Sequence, residues 1–84
     1  MTNDELKTCM LHDIPVVYED VDGVRLHYDR VSGIIYRKID GRLRVVAELA
    51  DVNGNSVRQV LPDKVFPQDD IQLWLIKHLI KDKE

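Results

Sequence analysis

Residues 33–49, GIIYRKIDGRLRVVAEL, decide the fold, because they predict a β-hairpin with a defined register. Asp40-Gly41 tolerates the positive φ angles of a two-residue hairpin turn, and alternating residues flank it on both sides. Such a turn pairs Ile39 with Arg42 and brings Arg37 directly opposite Arg44. Because facing like charges are unfavourable, we expect an acid, a bound anion or solvent against these two guanidinium groups. A bulged loop, which would shift the register by one residue, is the alternative.

Side-chain alternation gives the predicted hairpin two different faces. The face expected to join the core carries Ile34, Tyr36, Lys38, Leu43, Val45, Ala47 and Leu49. The opposite face carries Ile35, Arg37, Ile39, Arg42, Arg44, Val46 and Glu48. A mixture of arginine and aliphatic residues suits a protein partner at least as well as phosphate groups. A face that is solvated, or paired with the chain's own acids, is the alternative interpretation.

Further strands are predicted on both sides of the hairpin. Asp22-Gly23 and Asn53-Gly54 are turn signals, Ser32-Gly33 indicates a bend or bulge, and a two-residue turn at Asp22-Gly23 would place Asp20 opposite Arg25. Together these segments predict a five-stranded antiparallel β meander over residues 14–62. Five short strands joined by tight turns favour an SH3-like or Sm-like small barrel, with an open curled sheet as the alternative.

Two helices are predicted to flank the strands. Thr2 and Glu5 form a capping-box pattern that begins a helix over residues 3–12. Residues 69–82 form the second helix, with acids at its start and lysines near its end. The 84 residues therefore predict one domain that is mainly β, of the α+β class.

The C-terminal helix carries two apolar strips, although covering a small sheet needs only one. One strip contains Ile71, Trp74, Leu75, His78 and Leu79, and Trp74 is predicted to anchor the core. The other contains Leu73, Ile76 and Ile80, which we predict to form an oligomer or partner face, with a homodimer as the first expectation. The alternative is that both strips are buried, one of them against the N-terminal helix.

Positive charge is concentrated in the middle of the chain, although the net charge is −3. Every arginine lies between Arg25 and Arg58, and arginine binds carboxylate, phosphate and aromatic groups better than lysine does. The candidate partner- or anion-binding face is made of Arg25, His27, Arg37, Arg42, Arg44 and Arg58. Few aromatic residues are available to stack on bases, so we expect a protein partner and keep nucleic acid as the alternative.

The sequence lacks the patterns that enzymes and metal sites use. Cys9 is the one cysteine and lies in the apolar strip of the first helix, where a small buried hydrophobe is expected. His12, His27 and His78 lack metal-ligand spacing, so no metal, cofactor or enzymatic activity is predicted. With no signal-peptide pattern, no membrane-spanning apolar run and no disulfide, we expect a cytoplasmic protein.

Two resemblances accompany this interpretation. The segments GIIYRK, AEL-D-NGNSV and PDKV resemble small proteins encoded by phages and prophages of Gram-positive bacteria, over roughly residues 15–66. That resemblance implies an accessory protein acting in the bacterial cytoplasm. The order of elements, from IPVVYEDVDGVRL to SVRQVLPDKVFP, is similar to bacterial Sm-like RNA-binding proteins, whose closing Tyr-Lys-His motif is absent. We therefore expect a non-enzymatic interaction module, with a nucleic-acid-binding barrel and a structural homo-oligomer as alternatives.

Overall fold

The computed structural model describes residues 1–54 and 56–81, which form two helices, six strands and one 3₁₀ turn. The elements in chain order are α1 (Asn3–His12), β1 (Val16–Glu19), β2 (Arg25–Tyr28), β3 (Arg30–Ile39), β4 (Arg42–Ala50), β5 (Val57–Val60), the 3₁₀ turn (Pro62–Lys64), β6 (Val65–Pro67) and α2 (Asp70–Lys81). The predicted α+β class and both helices are confirmed. Residue 82, the predicted end of the second helix, lies outside the described residues.

Both helices begin at side-chain caps that satisfy their first backbone N–H groups. The Thr2 hydroxyl accepts a hydrogen bond from the Glu5 N–H, and the Glu5 carboxylate accepts one from the Thr2 N–H at 2.8 Å. The predicted capping box is therefore confirmed. In α2 the Asp69 carboxylate accepts from the Gln72 N–H at 2.9 Å.

The strands form two antiparallel sheets, in the orders β2-β1-β6 and β3-β4-β5. There are six strands in the described residues where five were predicted, and they form two separate sheets rather than a closed barrel or a simple meander. The additional strand, β6, lies beyond residue 62 and pairs with β1. Strand β6 was not predicted because it has only three residues and ends in a proline. A proline is compatible with the edge of a sheet.

The chain passes from the first sheet to the second at Asp29, between β2 and β3. The Asp29 N–H donates to the carbonyl of Ala50, and its carboxylate accepts from the Val52 N–H at 2.8 Å. Ser32-Gly33 lies at a bulge within β3, since the pairing with β4 shifts between Val31 and Gly33. The predicted bend or bulge is present, but the strand continues through it.

The loop between β1 and β2 is longer than the predicted two-residue turn. Glu19, rather than Asp20, lies opposite Arg25. The Asp20 carboxylate instead accepts from the N–H groups of Asp22 and Val24, each at 2.9 Å. The expected pairing of Asp20 with Arg25 is therefore wrong, because the aspartate side chain closes the loop on itself.

One hydrophobic cluster joins both sheets and both helices. Helix α1 packs against β3 and α2, and α2 also contacts β6. The buried members are Leu6, Cys9, Ile14, Val16, Tyr28, Val31, Ala47, Leu49, Val60, Val65 and Ile76. The cluster draws on the half of β4 that β5 covers, and this leaves the other half of the β3–β4 hairpin outside it.

Candidate functional site

The turn between β3 and β4 has the predicted register. Asp40 and Gly41 have φ angles of 52° and 77°, the pair of positive values that defines a two-residue turn matching the twist of the strands. Ile39 pairs with Arg42, and Arg37 lies directly opposite Arg44. The unbulged register is therefore confirmed.

Beyond the core, the hairpin continues as a two-stranded arm, which we define as residues 36–45. Strand β5 pairs only with Ala47–Ala50 of β4, so within the described residues the strands of the arm pair only with each other. Tyr36 is 49% exposed and Leu43 is 71% exposed. The prediction that Tyr36 points into the core is wrong: its hydroxyl accepts a hydrogen bond from the Asn3 side-chain amide at 2.9 Å.

The arm has one cationic and one apolar face, because paired residues share a face of the sheet. Arg37, Ile39, Arg42 and Arg44 form the cationic face, and Tyr36, Lys38, Leu43 and Val45 form the apolar face. Four cations and one acid, Asp40, give the arm a charge of +3 in a chain whose net charge is −3. The arm and the rest of the chain therefore carry net charges of opposite sign.

A neutral side chain lies against the facing arginines. The Arg37 guanidinium donates to the Gln59 amide oxygen at 3.0 Å. Across residues 1–54 and 56–81, the one ion pair joins Glu19 to Arg25, so no described acid is paired with Arg37, Arg42 or Arg44. The facing pair Arg37–Arg44 therefore has a neutral contact and no acidic partner among the described residues.

The other three predicted face residues lie elsewhere and contact the protein itself. Arg25 lies on the outer side of the first sheet, 5.8 Å from the Phe66 ring centroid and 3.5 Å from the Glu19 carboxylate. On the same sheet, His27 Nδ1 is 3.2 Å from the Gln68 amide nitrogen. Arg58 lies 5.4 Å above the Tyr18 ring, in a contact between the two sheets. The six residues thus do not form one surface, and three of them are on the arm.

Helix α2 is oriented differently from the prediction. Ile76, assigned to the oligomer or partner face, is fully buried in the core, Ile80 packs against that core, and Leu73 is half-buried. Trp74, predicted to anchor the core, is 63% exposed, and its ring stacks on His78 with the centroids 4.9 Å apart. The strip that stays open to a partner therefore contains Ile71 and Trp74, which we call the Trp74 surface.

Two observations in the part of the chain that the structure describes concern metal ligands and the reactivity of Cys9. No group of three or more His, Cys, Asp and Glu residues is arranged to hold a metal ion there. Burial raises the pKa of the Cys9 thiol to about 11, with a smaller contribution from the negative charge of Glu5. A thiol with that pKa is a poor nucleophile near neutral pH. Among the same residues, no helix is long and apolar enough to cross a membrane.

Sequence reasoning missed the exposed part of the hairpin, although a signal was present. The segment SVRQVL is too short to cover all of the strand RLRVVAELA, so the residues of β4 nearest the turn had no neighbour available on that side. Leu43 and Val45 are therefore apolar residues at an uncovered edge. Nothing in the sequence predicted which side of α2 is buried, since both of its strips are apolar.

No family model, curated protein or solved structure matches this chain.

Proposed function

We propose that this protein is a non-enzymatic interaction module whose arm binds an acidic surface of a protein partner. The observation that carries the proposal is the cationic face: Arg37, Arg42 and Arg44 lie together on it with no acidic partner among the described residues. Exposed apolar residues adjoin them, namely Tyr36, Ile39 and Leu43. Arginine beside exposed aromatic and aliphatic side chains is typical of residues that dominate protein interfaces.

The arm is also suited to binding because its two strands have no further strand beside them in the described residues. A two-stranded hairpin is marginally stable alone, and residues 36–45 receive strand pairing only from each other. A partner that covers the arm buries apolar surface that the fold leaves in water.

The experiment is capture of the partner from bacterial cytoplasm, followed by titration with the purified partner. The double variant Arg42→Glu/Arg44→Glu reverses two charges on the arm, and we expect its Kd to rise by at least about tenfold. Lys77→Glu/Lys81→Glu is the matched control, because it makes the same change of charge at two exposed positions of α2, a helix that packs against α1 and β6. Equal binding by the wild type and the double variant, or no retained partner, contradicts the proposal.

The second candidate function is binding of nucleic acid. A two-stranded ribbon fits the major groove of a DNA duplex, and three arginines share one face of the arm. Titration with duplex DNA and with single-stranded RNA at several salt concentrations tests this. Phosphate binding predicts that log K falls with log salt with a slope of about −0.9 per phosphate contact on duplex DNA and about −0.7 on a single strand, whereas no binding at low salt removes this candidate.

The third candidate is a structural homo-oligomer, which the Trp74 surface favours. Ile71 is 74% exposed and lies one helical turn from the exposed Trp74. Light scattering over a range of protein concentrations tests for self-association. A mass that stays at one chain removes this candidate.

We also propose a fold relationship and a setting. β2 and β3, separated by Asp29 alone, form one bent run that contributes to both sheets, and counting them as one strand gives five. This supports an opened form of an SH3-like or Sm-like small barrel. The resemblance of GIIYRK and PDKV to phage and prophage proteins supports an accessory role in the bacterial cytoplasm.

A further inference from the structure

We propose that an acidic, extended peptide segment of the partner binds as an added strand along the uncovered edge of β4, at residues 43–45. This inference rests on the proposed function and gives it a binding mode and a sequence class of ligand. It depends on the direction of backbone groups, on a groove beside them and on the alternation of charge along β4.

The backbone groups follow from the turn. In a two-residue turn the carbonyl of Ile39 accepts from the N–H of Arg42, so the backbone of Arg42 points toward β3. Because the direction of the backbone N–H and C=O groups alternates along an antiparallel strand, those of Arg44 also point toward β3. The backbone groups of Leu43 and Val45 point away from β3. The same alternation directs the backbone groups of Ala47 toward β5, where Ala47 pairs with Val60.

Strand β5 ends before it reaches Leu43 and Val45. Its last pair joins Val60 to Ala47, and the chain then continues through the 3₁₀ turn Pro62–Lys64, which lies beside β4 and lines the groove there without pairing with it. Within residues 1–54 and 56–81, no side chain or loop backbone hydrogen-bonds to Leu43 or Val45. Two N–H donors and two carbonyl acceptors therefore lie along an open edge, which is the arrangement that strand addition uses.

An open groove of about 500 Å³ lies beside this edge. Its lining is mostly apolar, and consists of Met1, Thr2, Leu43, Arg44, Val45, Leu61, Pro62 and Asp63. Leu61 is exposed at 56% in the free protein, so an added strand has apolar surface to bury. The groove can receive the side chains on one face of an added strand.

Charge along β4 specifies what the added strand must carry. Residues opposite Arg42 and Arg44 lie on the cationic face, where acidic side chains form favourable cross-strand pairs. Residues opposite Leu43 and Val45 lie on the apolar face, toward the groove, where aliphatic side chains fit. The ligand is therefore a segment in which acidic and aliphatic residues alternate. A second copy of this chain paired through the same edge would bring the arginines of two arms together, which disfavours it.

Three blocked heptapeptides test the proposal against ¹⁵N-labelled protein. The first alternates glutamate and valine, the second carries N-methyl groups on its valines, and the third carries them on its glutamates. In an antiparallel complex the valine N–H groups face β4 and the glutamate N–H groups face solvent. Both methylated peptides keep the charge and side chains of the first.

We expect the first and third peptides to bind with Kd values within about twofold of each other, and the second to bind at least tenfold more weakly, as the loss of two backbone hydrogen bonds implies. The amides of Leu43 and Val45 should shift and exchange more slowly in the complex.

Equal binding of the second and third peptides overturns strand addition. If the second and third peptides bind equally to the wild type but no longer bind to Arg42→Glu/Arg44→Glu, the proposed function stands without strand addition. No binding of the first peptide at low salt also overturns strand addition, and the captured partner then decides the proposed function.

Discussion

Side chains of the same type have different roles in this protein, because their surroundings differ. Arg58 packs over Tyr18, and Arg25 contacts Phe66 and Glu19, so these two arginines stabilise the fold. Arg42 is exposed on the arm with no ion pair to a described residue. Residue type alone predicted all three as one binding face. The distinction depends on which sheet each side chain lies on, and the local sequence does not encode that.

The orientation of α2 predicts opposite results for two neighbouring substitutions. Ile76→Ala removes a fully buried side chain and should lower the free energy of unfolding by about 2–5 kcal/mol. Trp74→Ala removes a mostly exposed ring and should lower it by less than about 1 kcal/mol. Denaturant unfolding measures both. A larger loss for Trp74→Ala than for Ile76→Ala would contradict the placement of the helix.

The buried thiol of Cys9 predicts a loss of stability in alkali. Burial raises its pKa from 9.0 to about 11, so the folded chain keeps a proton that the unfolded chain loses above pH 9. The stability from this group is therefore complete below pH 9 and falls as the pH rises toward 11. Unfolding free energies measured at pH 8 and pH 10.5 should fall further for the wild type than for Cys9→Ala. Equal falls in the two proteins would contradict the buried position of the thiol.

In the arm, local sequence determines the register, whereas packing with distant parts of the chain determines the exposure. Its register was predictable because Asp40-Gly41 sets it within four residues. Its exposure was not, since that depends on how far β5 extends along β4. Tyr36 shows the difference: it shares a face of the hairpin with the buried Ala47 and Leu49, but it lies beyond the covered part of that face and is 49% exposed. A correct register therefore identified the facing arginines but not the open edge beside them.

Two glycine substitutions test the geometry of the hairpin. Gly41 has a φ of 77°, so Gly41→Ala forces a side chain into the left-handed region and should destabilise the protein by about 1–2 kcal/mol. Gly33 is the matched control: its φ lies outside that region, and an added Cβ would lie 3.7 Å from the Glu48 Cβ, an ordinary contact. Gly33→Ala should therefore change stability by less than about 1 kcal/mol in either direction. Equal destabilisation by both, measured in denaturant, would contradict the turn assignment.

At the scale of the molecule, long-range pairing decides what the sequence leaves open. Strand β6 pairs with β1, about fifty residues earlier in the chain, and its three residues resemble a loop in isolation. Helix α2 packs against α1 and β6, and this packing selects which of its apolar strips is buried. The α+β class, the extent of α1 and the start of α2 were predictable from caps and periodicity. The arrangement into two sheets was not, because it depends on contacts between the two ends of the chain.

The contact between the sheets predicts a difference between two arginines. Arg58→Ala removes the packing of a guanidinium over Tyr18 and should lower the free energy of unfolding by about 0.5–1 kcal/mol. Arg42→Ala, on the arm, should change it by less than about 0.5 kcal/mol. Partner binding should show the reverse order, with Arg42→Ala weaker and Arg58→Ala close to the wild type. An equal effect of both substitutions on binding would contradict the division between structural and interacting arginines.

The most direct test of the central claim is to map the captured partner on the ¹⁵N-labelled protein by NMR. Binding through the arm predicts that the largest amide shifts fall on residues 36–45, with Leu43 and Val45 among them, and that they disappear in Arg42→Glu/Arg44→Glu. Shifts confined to the Trp74 surface, with the arm unchanged, would contradict it.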